Sequence, residues 1–249
     1  MSDRLAPKEL VRLLSKIQHH RGAQQQPVAG DPLDPQLAVL RAWQSDRLAH
    51  TYTDLLADDR YRPACQFFLS DIYGPRDFSQ RDHDAQHLYT GLKRYLPELM
   101  LQSLADAIQI SQLSDQLDRA LLFVLVDKLG VKDVIIPQVY AEGYRLCDNY
   151  DERKQQINLL VKILNEVGKG ARNRLVEVSL RLAKAPAERA GWSELYDFLR
   201  RGYDACKPIR DFGFFVNAIQ RREEMILEKI YSGDSNPFDL GGNGSGKIE

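Results

Sequence analysis

Two imidazoles four residues apart, in His83-Asp84-Ala85-Gln86-His87, fall on one face of any helix that contains them, with a carboxylate between them. That is the spacing of a zinc-binding helix in which two histidines ligate and an intervening Glu serves as general base. Here Asp stands in the Glu position on a shorter side chain, and no third ligand follows at the usual distance. The apolar residues of the same stretch, Leu88, Leu92 and Tyr95, take another face. His83 and His87 are thus the metal candidates of the chain, but they read as a solvated face, and no metal is expected.

A second group of chemically capable residues is Trp43, Arg47, His50 and Asp54, spaced by four, three and four along one helix. This mixed stripe is either the rim of a core with solvated ionic neighbours or the wall of a polar pocket. A third signal lies near the C-terminus, where the apolar face running from Ile219 to Ile226 must pass through Arg222 or Glu223. One charge there points inward and needs a partner, for which Asp71, Asp77, Arg76 and Arg47 are the candidates. The expectation is an ionic cluster that ties the Tyr73–Asp82 loop to another helix, either as a structural clasp or as the lining of a pocket.

Other chemistries lack their motifs. No G-x-x-x-x-G-K-[ST], C-x-x-C or G-x-S-x-G is present, and the Gly-rich run from Gly241 to Lys247 follows no strand. Cys65, Cys147 and Cys206 are odd in number and far apart, as expected of small buried hydrophobes in a reducing compartment. No cofactor is expected.

The elements that must position these groups are helical throughout. Leu10, Leu13, Leu14 and Ile17 mark a first short helix, followed by a polar connection from Gly22 to Pro35. A helix is predicted from about Pro35 to Ala57, with Leu37, Leu40, Leu48 and Leu55 on one face, and another from Pro63 through Phe67, Phe68 and Ile72 to the stop at Gly74-Pro75. Ser79, Pro97 and Ser114 open the next three, and Pro137 starts one after a connection at 131–136. Ile157 to Val167 form a helix stopped by Gly168 and Gly170. Leu175, Val178 and Leu182 form the apolar face of the next, which ends near Pro186. Two more helices run through Leu195–Cys206 and Phe212–Ile230. About ten helices without a clear linker predict an all-α fold, a single-domain multi-helix bundle over residues 35–233. Residues 1–34 form an N-terminal helix and flexible connection, and residues 234–249 a disordered, mobile Gly-rich tail.

Around these elements three stretches carry a family resemblance. Ala42-Trp43-Gln44-Ser45-Asp46-Arg47, Arg60-Tyr61-Arg62-Pro63-Ala64 and above all Phe67-Phe68-Leu69-Ser70-Asp71-Ile72-Tyr73-Gly74-Pro75-Arg76-Asp77-Phe78-Ser79-Gln80-Arg81-Asp82 resemble an uncharacterised proteobacterial all-helical family with the signature FFL-x-x-[LI]-YGP-x-DFS-x-RD. The likeness continues through Gly191-Trp192-Ser193-Glu194-Leu195 and Arg222-Glu223, covering most of Pro35 to Phe238. It implies a bacterial origin and brings no activity with it.

Composition narrows the function classes. With 43% hydrophobic residues in 249, a core needs neither disulfides nor metals, and a net charge of -1 gives no global attraction to nucleic acid or anionic membrane. Charge is uneven: Arg153 to Arg189 holds nine Lys or Arg and three Glu, whereas Glu98 to Asp151 holds nine acids and four bases. No aromatics interleave with the 153–189 basic segment, which argues against nucleic acid. The run Ala120–Val126 is too short to cross a bilayer and no signal peptide is evident, so a cytoplasmic location is expected. The leading expectation is a non-enzymatic bacterial protein acting by protein association, self-association or ligand sensing. The alternative is a helical enzyme or cofactor- or metal-binding protein, built like a haem-oxygenase bundle, with a pocket lined by Trp43, Arg47, His50, Tyr73, Arg76 and Asp77. Nucleic-acid binding through residues 153–189 is the third reading.

Overall fold

Leu37, Leu40 and Leu48 recur at helical spacing behind Pro35, whose missing N–H costs nothing in a first turn, and they bury one face of helix α1 (Pro35–Thr51). The computed structural model describes residues 35–72, 98–189, 191 and 193–241. After α1 come α2 (Thr53–Ala57) and α3 (Arg62–Phe67), the latter running into a π-helical segment at Phe68–Ile72. The chain continues with α4 (Glu98–Phe123) and a second π-helical segment (Val124–Lys128), then α5 (Pro137–Cys147) and α6 (Tyr150–Ala171). It closes with α7 (Arg174–Arg189), α8 (Ser193–Cys206) and α9 (Phe212–Tyr231). No strand occurs among the described residues, so the fold is all-α as the periodicity predicts.

Long helix α6 organises the packing, lying along both α4 and α9. Its Leu164, fully buried, joins Leu48, Tyr52, Leu55, Tyr61, Phe212 and Phe215 in the larger core. A second core forms where α1 meets α4 and α5, around Leu37, Leu40, Leu121, Leu125, Ile135 and Tyr140. Helix α8 packs on α3, α6 and α7. Ile135 reaches the second core from an irregular connection, as expected of the 131–136 run, and Gly130 at φ 68° turns the chain into it.

Several helix boundaries differ from expectation. The predicted single helix from Pro35 to Ala57 is interrupted at Tyr52, where Thr51 Oγ1 donates to the Arg47 carbonyl and Thr53 Oγ1 to that of His50. Such back-bonding by β-branched hydroxyls perturbs a helix at that point. Ser114 opens no helix: it lies inside α4, and its Oγ accepts from Gln156 Nε2 at 2.7 Å, linking α4 to α6. Gly168 lies inside α6 and does not stop it, and the helix ends at Ala171, one residue past Gly170. A Cβ at Gly168 would lie 2.6 Å from Phe212 Cδ1, so this glycine lets the aromatic ring of α9 lie against the helix backbone. Pro186 likewise stays inside α7, which ends three residues later where Gly191, at φ 78°, returns its amide to the Glu188 carbonyl.

The expected tail is partly engaged. Phe238 packs edge-on against Trp43 and against Tyr140, closing the aromatic group at the α1–α5 contact.

Candidate functional site

On α9 the apolar face formed by Phe215, Val216, Ile219, Ile226 and Ile230 is continuous except at the turn that carries Arg222 and Glu223. Glu223 there accepts from Arg47 Nη1 on both carboxylate oxygens, at 2.8 and 3.0 Å, and from the Tyr52 hydroxyl at 2.7 Å. The adjacent Arg222 donates both of its terminal nitrogens to Asp54, each at 2.7 Å, and Nη1 also to the Thr51 carbonyl at 3.0 Å. Both interactions cross from α9 to α1 and its junction with α2, where the helix is interrupted at Tyr52. Burial by itself would favour loss of the Arg47 proton, but the Glu223 carboxylate outweighs it and holds the guanidinium above its ordinary value. Arg47 Nε, also buried, has no hydrogen-bond partner.

Desolvation pushes the Asp54 carboxyl up, and the bidentate Arg222 more than offsets this, leaving it below the ordinary 3.8. A depressed carboxylate stabilises the fold fully above the unfolded-state value, and the contribution is lost as pH falls through the lower folded-state value. The Asp54 side chain is 43% exposed, so the pair is screened and is worth no more than about 1 kcal/mol. Thermal melts of Asp54→Asn should therefore lie slightly below wild type at neutral pH and converge with it below the ordinary carboxylate value.

A second polar band runs through the α1–α4–α5–α6 contact. Gln44 Nε2 donates to Asp118 Oδ1 at 2.9 Å and approaches the Tyr140 hydroxyl at 3.4 Å, while Arg41 bridges Asp115 and Asp118. Arg153, only 3% exposed, lies over the Tyr144 ring at 4.2 Å and donates Nη2 to the Leu117 carbonyl. Burial raises the Asp118 carboxyl and carries the Tyr140 hydroxyl well above its usual value. Trp43 stacks on Tyr140 with ring centres 4.1 Å apart. Gln44, Arg41 and Asp118 satisfy one another in this band, whereas the buried Arg153 Nε has no hydrogen-bond partner among the described residues. Burial also pushes the Cys65 and Cys206 thiols up to about 12, leaving them protonated and poor nucleophiles at neutral pH.

The surface of α7 is built differently. Val176, Leu180, Ala183 and Ala187 turn inward, two of them joining Tyr203 of α8 in a small core. Leu175, Val178 and Leu182, expected as the buried face, point out instead: they are 69%, 48% and 67% exposed. The helix thus carries two apolar stripes, and the described residues pack against one of them.

A family model described as a domain of unknown function (DUF8198) matches residues 23–237. The chain belongs to the DUF8198 family. No curated protein and no solved structure matches it. The match spans all nine α-helices of the described residues of this DUF8198 chain and stops one residue before Phe238. No helix among the described residues is long and apolar enough to cross a membrane, and among them no three His, Cys, Asp or Glu converge as metal ligands.

Of the residues singled out by sequence, the DUF8198 fold brings Arg47 to Glu223 and Asp54 to Arg222. Trp43 sits instead in the aromatic group, and the His50 residue is exposed. Asp71 does not meet Arg222 or Glu223: carried by the π-helical segment, it accepts from Arg201 Nε and Nη2 of α8 at 3.0 and 2.6 Å. Tyr73, Arg76, Asp77, His83 and His87 lie outside the described residues. The ionic contacts of Arg222 and Glu223 therefore join α9 to α1 and α2. Asp118, Tyr140 and Arg153 were missed. Arg153 precedes Ile157 by four residues and Leu160 by seven, and Asp118 precedes Leu121 by three and Leu125 by seven, so both sit at apolar positions of their helices.

Proposed function

We propose that this chain is a non-enzymatic, cytoplasmic bacterial protein that acts by associating with another protein through the outer face of α7. One observation carries the reading: Leu175, Val178 and Leu182 form an apolar stripe at helical spacing that the body leaves exposed. A stripe with an apolar centre suits a packed protein partner better than nucleic acid, which calls for aromatic platforms or a phosphate track. The Arg47–Glu223 and Asp54–Arg222 contacts act as a clasp between the helices, because their charges are spent on one another. The FFL-x-x-[LI]-YGP-x-DFS-x-RD signature at Phe67–Asp82 supports the bacterial origin.

Native mass spectrometry of the protein taken from its host tests this. Burying a leucine is worth roughly 1.5–3 kcal/mol, so Leu175→Glu with Leu182→Glu should weaken association at least a hundredfold, about 3 kcal/mol, while leaving the melting temperature unchanged. The wild type should carry a bound mass that the variant lacks. Identical, bare spectra for both would overturn the proposal.

A further inference from the structure

The exposed stripe of α7 follows a heptad: Leu175 and Leu182 are seven apart, Val178 lies three after the first, and Ala185 three after the second. In coiled-coil lettering these are the a, d, a and d positions of a short seam. Arg174 and Arg181 then occupy successive g positions along one edge, Arg172 lies just before the helix in the turn from α6, and Arg189 extends the seam at its C-terminal end. All four are exposed. Arg172 donates to the Arg210 carbonyl and Arg189 Nε to that of Ala185, so neither is neutralised. Arg174 and Arg181 make no ion pair among the described residues. Of the nearby acids, Glu177 accepts from Lys207, just past α8, at 3.3 Å, and Glu188, the g position that follows Arg181, lies on α7 itself 3.9 Å from Lys184, so the arginine surplus is concentrated in the N-terminal two turns of the seam.

From this arrangement we infer that the partner of α7 is an acidic amphipathic helix, with apolar residues at its a and d positions and Asp or Glu at the positions beside them. This rests on the reading of α7 as the association face. A facing helix would insert its apolar residues between Leu175, Val178 and Leu182, and its carboxylates would meet Arg174 and Arg181 at the rim. A second copy of the chain is a poorer occupant. It would bring the same surplus of arginine to the seam, setting like charges against each other wherever the two stripes align.

The probe is a fluorescent helical peptide of about three heptads with Leu at a and d and Glu at e and g, compared with a twin carrying Lys at e and g. Fluorescence anisotropy with the full chain at neutral pH should show the Glu peptide binding about tenfold or more tightly than the Lys peptide, a preference that fades at high salt. Arg174→Glu with Arg181→Glu should reverse the order, with helical circular dichroism and melting temperature unchanged as a check on folding. Leu175→Glu with Leu182→Glu should abolish binding of both peptides. Equal binding of the two peptides by the wild type would overturn the acidic partner while leaving association through the leucine seam intact. Binding of neither peptide, with concentration-dependent dimerisation lost in the leucine variant, would assign the seam to a second copy. Leucine-dependent binding to anionic phosphatidylserine vesicles and to neither peptide would assign it to a membrane surface. No binding to any of these would remove both the inference and the reading beneath it.

Discussion

Replacing Glu223 with Ala is expected to lower the free energy of unfolding by about 3–5 kcal/mol, because it leaves the Arg47 charge without its counter-ion. Each of the two side chains is only 14% exposed, so water cannot take over the role of the carboxylate. The Tyr52 hydroxyl would lose the same acceptor, which adds to the cost. Urea denaturation measures the change as a lower midpoint at constant m-value. The double variant Arg47→Met with Glu223→Leu separates charge burial from packing. Removing both charges removes the desolvation penalty with them, so most of the stability should return. A Glu223→Ala variant within about 0.5 kcal/mol of wild type would mean that the pair is not closed in solution.

The two faces of α7 give the second large effect, and it rests on leucines only two positions apart. Leu180 is fully buried, and Leu180→Ala should cost about 2–5 kcal/mol through lost burial and the cavity left behind. Leu182 is 67% exposed, and Leu182→Ala should stay within about 0.5 kcal/mol of wild type. Paired chemical denaturation curves read the contrast directly. Equal losses at both positions would mean that the outer stripe is covered within the protein itself, leaving no free face for a partner.

The helical fold was legible because apolar residues recur at three and four throughout, and the starts at Pro35 and Pro137 follow from the chemistry of a first turn. Helix ends were harder. Gly168 looks like a stop when read alone, yet it is required inside α6 because Phe212, over forty residues away, packs against it. The inward charge of α9 was readable from the gap between Ile219 and Ile226, and Arg47 was among its possible partners. Asp71 was offered the same role, but pairing between side chains 130 residues apart depends on how helices pack, and α8 presents Arg201 to it. The outcome on α7 has a similar cause. Both of its stripes have helical period, and the outer one holds the larger residues. Ala183 and Ala187 let the inner face approach its neighbours closely, so helix spacing decided what hydrophobicity alone would have decided the other way.

The bond between Arg47 and Glu223 joins residues 176 positions apart, and Phe238 reaches back still further to Trp43. At ~5–20 residues per second, a ribosome takes roughly 10–35 seconds to make the intervening chain. Throughout that interval α1 carries a charged arginine whose carboxylate partner has not yet been synthesised, while Trp43 gains Tyr140 part-way through and Phe238 only afterwards. The first described helix is thus completed by the last described one: the charge that α1 buries is paired only once α9 has been made and has folded back.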